Sequence, residues 1–176
     1  ALILFSSIYW YLLNFVNFSN KYFFNFSNKS NFIKIFILII FLQITLGAFV
    51  SGLDAGEIYQ TWPLMNNNYL PDDTDFKAIT LSNIFYNHSL IQFLHRNIAY
   101  IIFVYSALIS INVFYNKKIY LYVPLFFLLF MVFVQISLGI ATLISELNIV
   151  YASMHQISTI FLLVSSINFY HKSIIQ

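Results

Sequence analysis

Gln43-Ile44-Thr45-Leu46-Gly47 and Gln135-Ile136-Ser137-Leu138-Gly139 are one short word written twice in the chain. Each copy sits in a long apolar stretch. In the next apolar stretch each is followed by a histidine: Gln92-Phe93-Leu94-His95-Arg96 after the first copy, Ser153-Met154-His155-Gln156 after the second. Word, connector and histidine recur in the same order, which reads as a duplicated helical hairpin whose two copies are related by a pseudo-twofold axis along a membrane normal.

The composition places that duplication in lipid. Of 176 residues 60% are apolar and only 8% charged, and the mean hydropathy is +0.80. A soluble domain of this size must give polar residues to its surface, whereas a lipid-facing chain need not. The eight Lys/Arg are scattered and form no nucleic-acid patch, so no nucleic-acid partner is expected. Cysteine is absent, which excludes disulfides, thiolate metal sites and cysteine nucleophiles. The first residue is Ala1 inside an apolar run, the pattern expected of a chain that lacks an upstream portion.

Five apolar stretches stand out, at about 1–18, 31–52, 88–114, 119–144 and 149–170. All but the first have the roughly 20 residues a helix needs to cross hydrocarbon. Backbone polar groups must be satisfied internally in lipid, and barrel-type alternation is missing, so the fold class is all-α. The expected architecture is an integral membrane bundle of four helices over 31–176, with a long outer loop at 53–87. A preceding transmembrane helix and an Asn/Ser-rich connector occupy 1–30. Lys21, Lys29, Lys34, Lys117, Lys118 and Lys172 fall at one end of such a bundle, the expected cytoplasmic or matrix side. Asp54, Glu57, Asp72, Asp73, Asp75 and Glu146 fall at the other, with Lys77. Pro124 belongs in the first turn of its helix, where a missing N–H costs little. Tyr59 and Trp62-Pro63 read as interfacial anchors, and Phe76 to Asn87 as a surface-lying helix or a folded loop.

Counting from the acidic end, His95 and His155 both lie roughly 10 Å deep. Ionisable groups at membrane depth are costly and usually functional. Two neutral imidazoles at one level, facing each other across a bundle, are what a six-coordinate haem iron requires, so both are candidate metal ligands near the outer face. Arg96 has two readings, a charge-assisted partner for a haem propionate or a side chain snorkelling to headgroups. Gln43 and Gln135 have several: each other, a histidine N–H, a haem edge, or plain interhelical bonding. Gly47, Ala48, Ser51 and Gly52, and likewise Ser137, Gly139 and Ala141, form small faces for close packing or for a flat macrocycle. His88 and His171 read as interfacial side chains. No hydrolytic triad, phosphate loop or dinucleotide glycine motif competes.

Leu46-Gly47-Ala48-Phe49-Val50-Ser51-Gly52-Leu53-Asp54-Ala55-Gly56, Thr61-Trp62-Pro63-Leu64-Met65, Gln92-Phe93-Leu94-His95-Arg96, the second copy of the word through Leu143, and His155-Gln156 follow in order. Over about 31–176 this pattern resembles the haem A synthase family of mitochondrial and alphaproteobacterial type. The resemblance implies two similar four-helix halves, of which this chain is the second plus one helix. It implies oxidation of the C8 methyl of haem O to a formyl group. It also implies haem b held by His95 and His155 in this half, with the substrate-side histidine pair in the other. Haem O synthase and an electron-transfer protein would be partners, and the bacterial or mitochondrial inner membrane the location. No catalytic residue is assigned, and Asp54 and Glu57 are read as solvated loop acids. An electron-carrying membrane cytochrome b without catalytic activity is the alternative, and a cofactor-free assembly protein a third reading. The outer-loop signature favours the first.

Overall fold

A computed structural model describes residues 1–24, 28–74, 80 and 84–174. Five α-helices account for most of them: α1 (Leu2–Val16), α2 (Asn28–Gly52), α3 (His88–Tyr115), α4 (Tyr122–Ile144) and α5 (Ile149–Ser173). Short 3-10 turns at Ala55–Glu57 and Ile119–Leu121 lead out of α2 and into α4. Among the described residues the only β-type pairing is an isolated bridge between Met65 and Asn68. Four helices, α2 to α5, are long and apolar enough to cross a membrane. The 15 residues of α1 extend only about 22 Å, short of the ~30 Å hydrocarbon layer. The protein is an all-α integral membrane protein.

Both histidine helices start the same way. The side chains of Asn87 and Asn148 accept the Leu90 and Val150 N–H groups, each at 2.9 Å, and satisfy donors the first turn cannot. Pro124 lies in the first turn of α4, as its missing N–H requires. That helix ends where Glu146 and Leu147 turn left-handed (φ 54° and 60°), with the Leu147 N–H returning to the Thr142 carbonyl at 2.9 Å.

The hairpins α2–α3 and α4–α5 are each tightly paired, and they meet through α2 against α5 and α3 against α4. Neighbours therefore run α2, α3, α4, α5 around a ring, with the histidine-bearing α3 and α5 on a diagonal. α1 lies outside the ring against α5. The Cβ direction of Gly56 runs into Leu147 at 2.9 Å, so the loop after α2 and the turn after α4 share one end. At the other end Lys21 Nζ donates to the His171 carbonyl at 2.8 Å.

The core is lopsided. Ile33, Phe36, Ile37 and Ile40 of α2 meet Ile102, Ile109 and Val113 of α3, Leu125, Leu128 and Val132 of α4, and Leu162, Leu163 and Ile167 of α5. All of these lie on the basic side of the histidines. In lipid such contacts hold through close packing, not exclusion of water. Towards the acidic end, Val132 is the last buried residue of α4 and Ser158 the first of α5.

Several sequence expectations are corrected. Tyr59 is no interfacial anchor: it is 1% exposed, while Trp62 is half exposed. His171 is not interfacial either. It is buried, its Nε2 lies 3.0 Å from Asn14 Oδ1, and its ring packs edge-on against Trp10, tying α1 to α5. Of the small faces, Ala48, Ser51, Gly52 and Ser137 are exposed. Phe76 and Ile79 of the surface-helix expectation, and Lys77, lie outside the described residues. Ile84 and Phe85 form a turn, with Phe85 against Phe49.

Candidate functional site

His95 is the eighth residue of α3 and His155 the seventh of α5, which brings both imidazoles to one depth on the diagonal. Neighbouring helices of a bundle lie about 8–10 Å apart, which makes that diagonal about 11–14 Å.

The duplicated word is a seat for each ring. A Cβ built on Gly47 would stand 3.1 Å from His95 Cε1, and one built on Gly139 would stand 3.2 Å from His155 Cε1. The distances to Nδ1 (3.7 and 3.6 Å) and Nε2 (3.9 and 3.8 Å) match as closely, so both rings lie on bare helix backbone in one orientation. Both Nδ1 atoms are buried without a hydrogen-bond partner.

The glutamine side chains differ. Gln43 Nε2 lies 3.3 Å from His95 Nε2. Gln135 Nε2 instead donates to the His155 carbonyl (3.1 Å) and to Ser158 Oγ (2.7 Å), and its Oε1 accepts from Thr159 at 3.3 Å. Each glutamine thus bonds within its own hairpin, and they do not bond each other.

Arg96 is held by the outer loop, a position neither sequence reading anticipates. Its Nη1 donates to the carbonyls of Thr61 (2.9 Å) and Leu64 (3.3 Å), and its Nη2 to that of Tyr59 (2.7 Å). The Nε–H is buried without a partner. Gln92, one turn earlier on the same face, donates to the same Tyr59 carbonyl at 2.8 Å. The Tyr59 phenol reaches Asp72 and Asp73, and Ser89 at the start of α3 donates to Asp73. Burial first, then the bonds to Asp72 and Asp73, push the phenol up to about 12. Burial acts against the charge of Asp73, but the donors Ser89, Tyr59 and Thr74 outweigh it and hold that carboxyl below its usual range. Inside the loop, Thr61 Oγ donates to the Leu64 carbonyl and accepts the Asn66 N–H, which braces the Trp62-Pro63 turn. The cluster of Tyr59, Asp72, Asp73, Ser89 and Gln92 is absent from the sequence expectations, and the four-residue spacing of Gln92 and Arg96 is its only sequence signal. Asp54 and Glu57 are exposed, as solvated loop acids are.

The donor set fits an iron porphyrin. Among the described residues no group of three or more His, Asp or Glu side chains gathers as a protein-only metal cage. A haem iron takes such imidazoles as its protein ligands. The residues present agree with that: an imidazole on each of two diagonal helices, a glycine seat for each, and a second hairpin whose buried residues stop short of its ring.

Comparison with known proteins gives the family. Residues 1–167 match the cytochrome oxidase assembly protein family, COX15-CtaA. The heme A synthase of Pelagibacter ubique is 42% identical over 167 residues, covering 94% of this chain and 48% of the relative. That of Wolbachia pipientis wMel is 37% identical over 81% of this chain and 39% of its own length. That of Rickettsia prowazekii is 37% identical over 72% and 38%. The chain spans about half the length of the first of these and less of the others. No solved structure matches it significantly.

Proposed function

The chain belongs to the cytochrome oxidase assembly family that includes the heme A synthases, and from that membership we propose that it is the haem-binding half of a haem A synthase. In this reading His95 and His155 would hold the iron of a haem b, and the whole protein would oxidise the C8 methyl of haem O to the formyl group of haem A. The bound haem supplies one-electron redox chemistry. The chain's own residues hold and orient it. Each imidazole presents one ring nitrogen, seated on Gly47 or Gly139. For His95 to present Nε2, the amide of Gln43 must give that atom up. Arg96 has its Nε–H left for a propionate beyond the three loop carbonyls it already serves. Haem O, haem O synthase and an electron-transfer protein are the proposed partners. The proposed location is the bacterial or mitochondrial inner membrane, with the acidic end and the haem on the outer side.

One observation carries the reading: two histidines at equal depth on diagonal helices, each resting on the glycine of the same repeated word. The test is spectroscopic. The purified protein supplied with haem is expected to give a low-spin Soret spectrum, which His95→Ala and His155→Ala each abolish. Unchanged spectra in both variants would remove the ligand assignment. Mass spectrometry of haem extracted after incubation with haem O and an electron acceptor separates synthase from simple electron carrier, since only the synthase yields formyl-haem.

A further inference from the structure

We propose that Gly47 and Gly139 are positioning residues: their missing side chains set how far each imidazole stands back from the bundle axis, and so the spacing of the two ligands. The inference rests on the haem reading above and goes beyond it, because it assigns a role to residues that touch no iron.

The four glycines provide their own controls. Gly47 and Gly139 are the two whose Cβ would meet a histidine, at 3.1 and 3.2 Å from Cε1. Gly52, on the same helix as Gly47, has nothing within 4 Å of its Cβ position, and Gly56 meets a leucine. Simple helix–helix approach would not choose the same ring atom twice on two separate helices. A methyl group at either seat lies closer than ordinary van der Waals contact, so the ring must give by a few tenths of an ångström. Backbone lies behind the methyl, so the ring moves towards the opposite imidazole. Groups that orient a metal ligand are worth about 10–100-fold in affinity at metal sites.

The experiment compares Gly47→Ala, Gly139→Ala and Gly52→Ala in the full chain, purified in detergent. Alanine favours a helix over glycine, so folding is preserved, and either seat variant alone carries the test. Expected for both seat variants is about 10-fold weaker haem retention and a shifted low-spin electron paramagnetic resonance signal, with Gly52→Ala like the parent. In haem-free protein the ring-nitrogen resonances of His95 and His155 are expected to move in their own variant only. Seat variants whose retention, paramagnetic signal and nitrogen resonances all match those of Gly52→Ala would overturn the proposal. Should the parent retain no haem, the ligand reading fails and the nitrogen resonances alone decide: moved in the matching variant they support the seat, unmoved they remove it.

Discussion

The two hairpins share the same seat and the same asparagine cap at the start of the histidine helix, and differ in what surrounds them. In both, a glycine one turn after a glutamine receives an imidazole, with matching distances to three ring atoms. Around that seat they diverge. His95 has its ring nitrogen beside Gln43, and the helix that bears it is bolted by Gln92 and Arg96 to an outer loop folded on Tyr59. His155 has its backbone carbonyl held by Gln135, Ser158 and Thr159, and the turn before its helix is only a few residues long. Duplication preserved the geometry a shared ligand would demand and left each hairpin free to find its own reinforcement.

The largest break in that comparison is at the residue after each histidine. Arg96→Leu removes three hydrogen bonds to loop carbonyls. It is expected to cost about 1.5–3 kcal/mol, since charge-assisted bonds are lost, while the Tyr59 carbonyl keeps Gln92 as a donor. Arg96→Lys is not expected to recover it, because an ammonium cannot fork across three acceptors. Gln156, at the equivalent place in the second hairpin, is exposed, and Gln156→Leu is expected to change stability by less than about 0.5 kcal/mol. Thermal unfolding in detergent, with limited proteolysis of the outer loop, measures both. Equal effects would mean the loop clamp does nothing for the fold.

Next in size is the titratable cluster, which only the first hairpin has. Tyr59→Phe leaves Asp72 and Asp73 without their shared donor and is expected to cost about 1–2 kcal/mol. The pH dependence has two signs. Asp73 lies below its usual range in the folded protein, so its contribution is present above the ordinary carboxylate pKa of about 3.9 and is lost as pH falls through the lower folded value. The phenol, raised to about 12, contributes fully below its ordinary value and loses that contribution as pH rises from about 10 through 12. Ser89→Ala is expected to reduce the acid-side dependence and leave the alkaline side alone. Unfolding midpoints across pH for the three proteins check this.

Much of this was legible in the residues and some was not. Hydropathy fixes four crossings because lipid leaves a chain few alternatives, and observed helix ends fall within a few residues of those read from composition. The repeated word with its two histidines marks the candidate site because ionisable groups at that depth are rare. The environments of Arg96, Tyr59 and His171 were not legible. Each depends on where a loop or a neighbouring helix returns, and the same residue types at a membrane boundary read equally well as headgroup anchors. His171 meets Asn14 across almost the whole chain, and no local spacing reports such a contact.

Smaller effects separate the two glutamines. Gln135→Leu removes the amide donor to buried Ser158 and an acceptor of Thr159, both of which keep the His155 carbonyl, and is expected to cost about 0.6–1.7 kcal/mol, the range of hydrogen bonds between membrane helices. Gln43→Leu removes one contact to a ring nitrogen, so its effect on stability is expected to be smaller and its effect on the ligand spectrum larger. A shift of similar size in both readouts for both variants would erase the distinction between ring-facing and backbone-facing support.

The smallest effect tests whether the hairpins are mechanically joined at the acidic end. Leu147 holds a left-handed backbone at φ 60°, which costs a branched-side-chain residue roughly 1–2 kcal/mol. Its side chain lies against Gly56 of the other hairpin's loop. Leu147→Gly relieves the backbone but gives up that contact and adds freedom to the unfolded chain, so the net change is expected within about 1 kcal/mol of zero. Gly56→Ala forces a methyl to 2.9 Å from Leu147 Cδ2 and is expected to cost about 1 kcal/mol or more by overpacking. In the Leu147→Gly background that penalty should vanish, because the opposing atoms are gone. A double-mutant cycle with a coupling of about 0.5 kcal/mol or more would show that the tight turn of one hairpin rests on the loop of the other. Additive effects would mean that the two loops merely lie side by side.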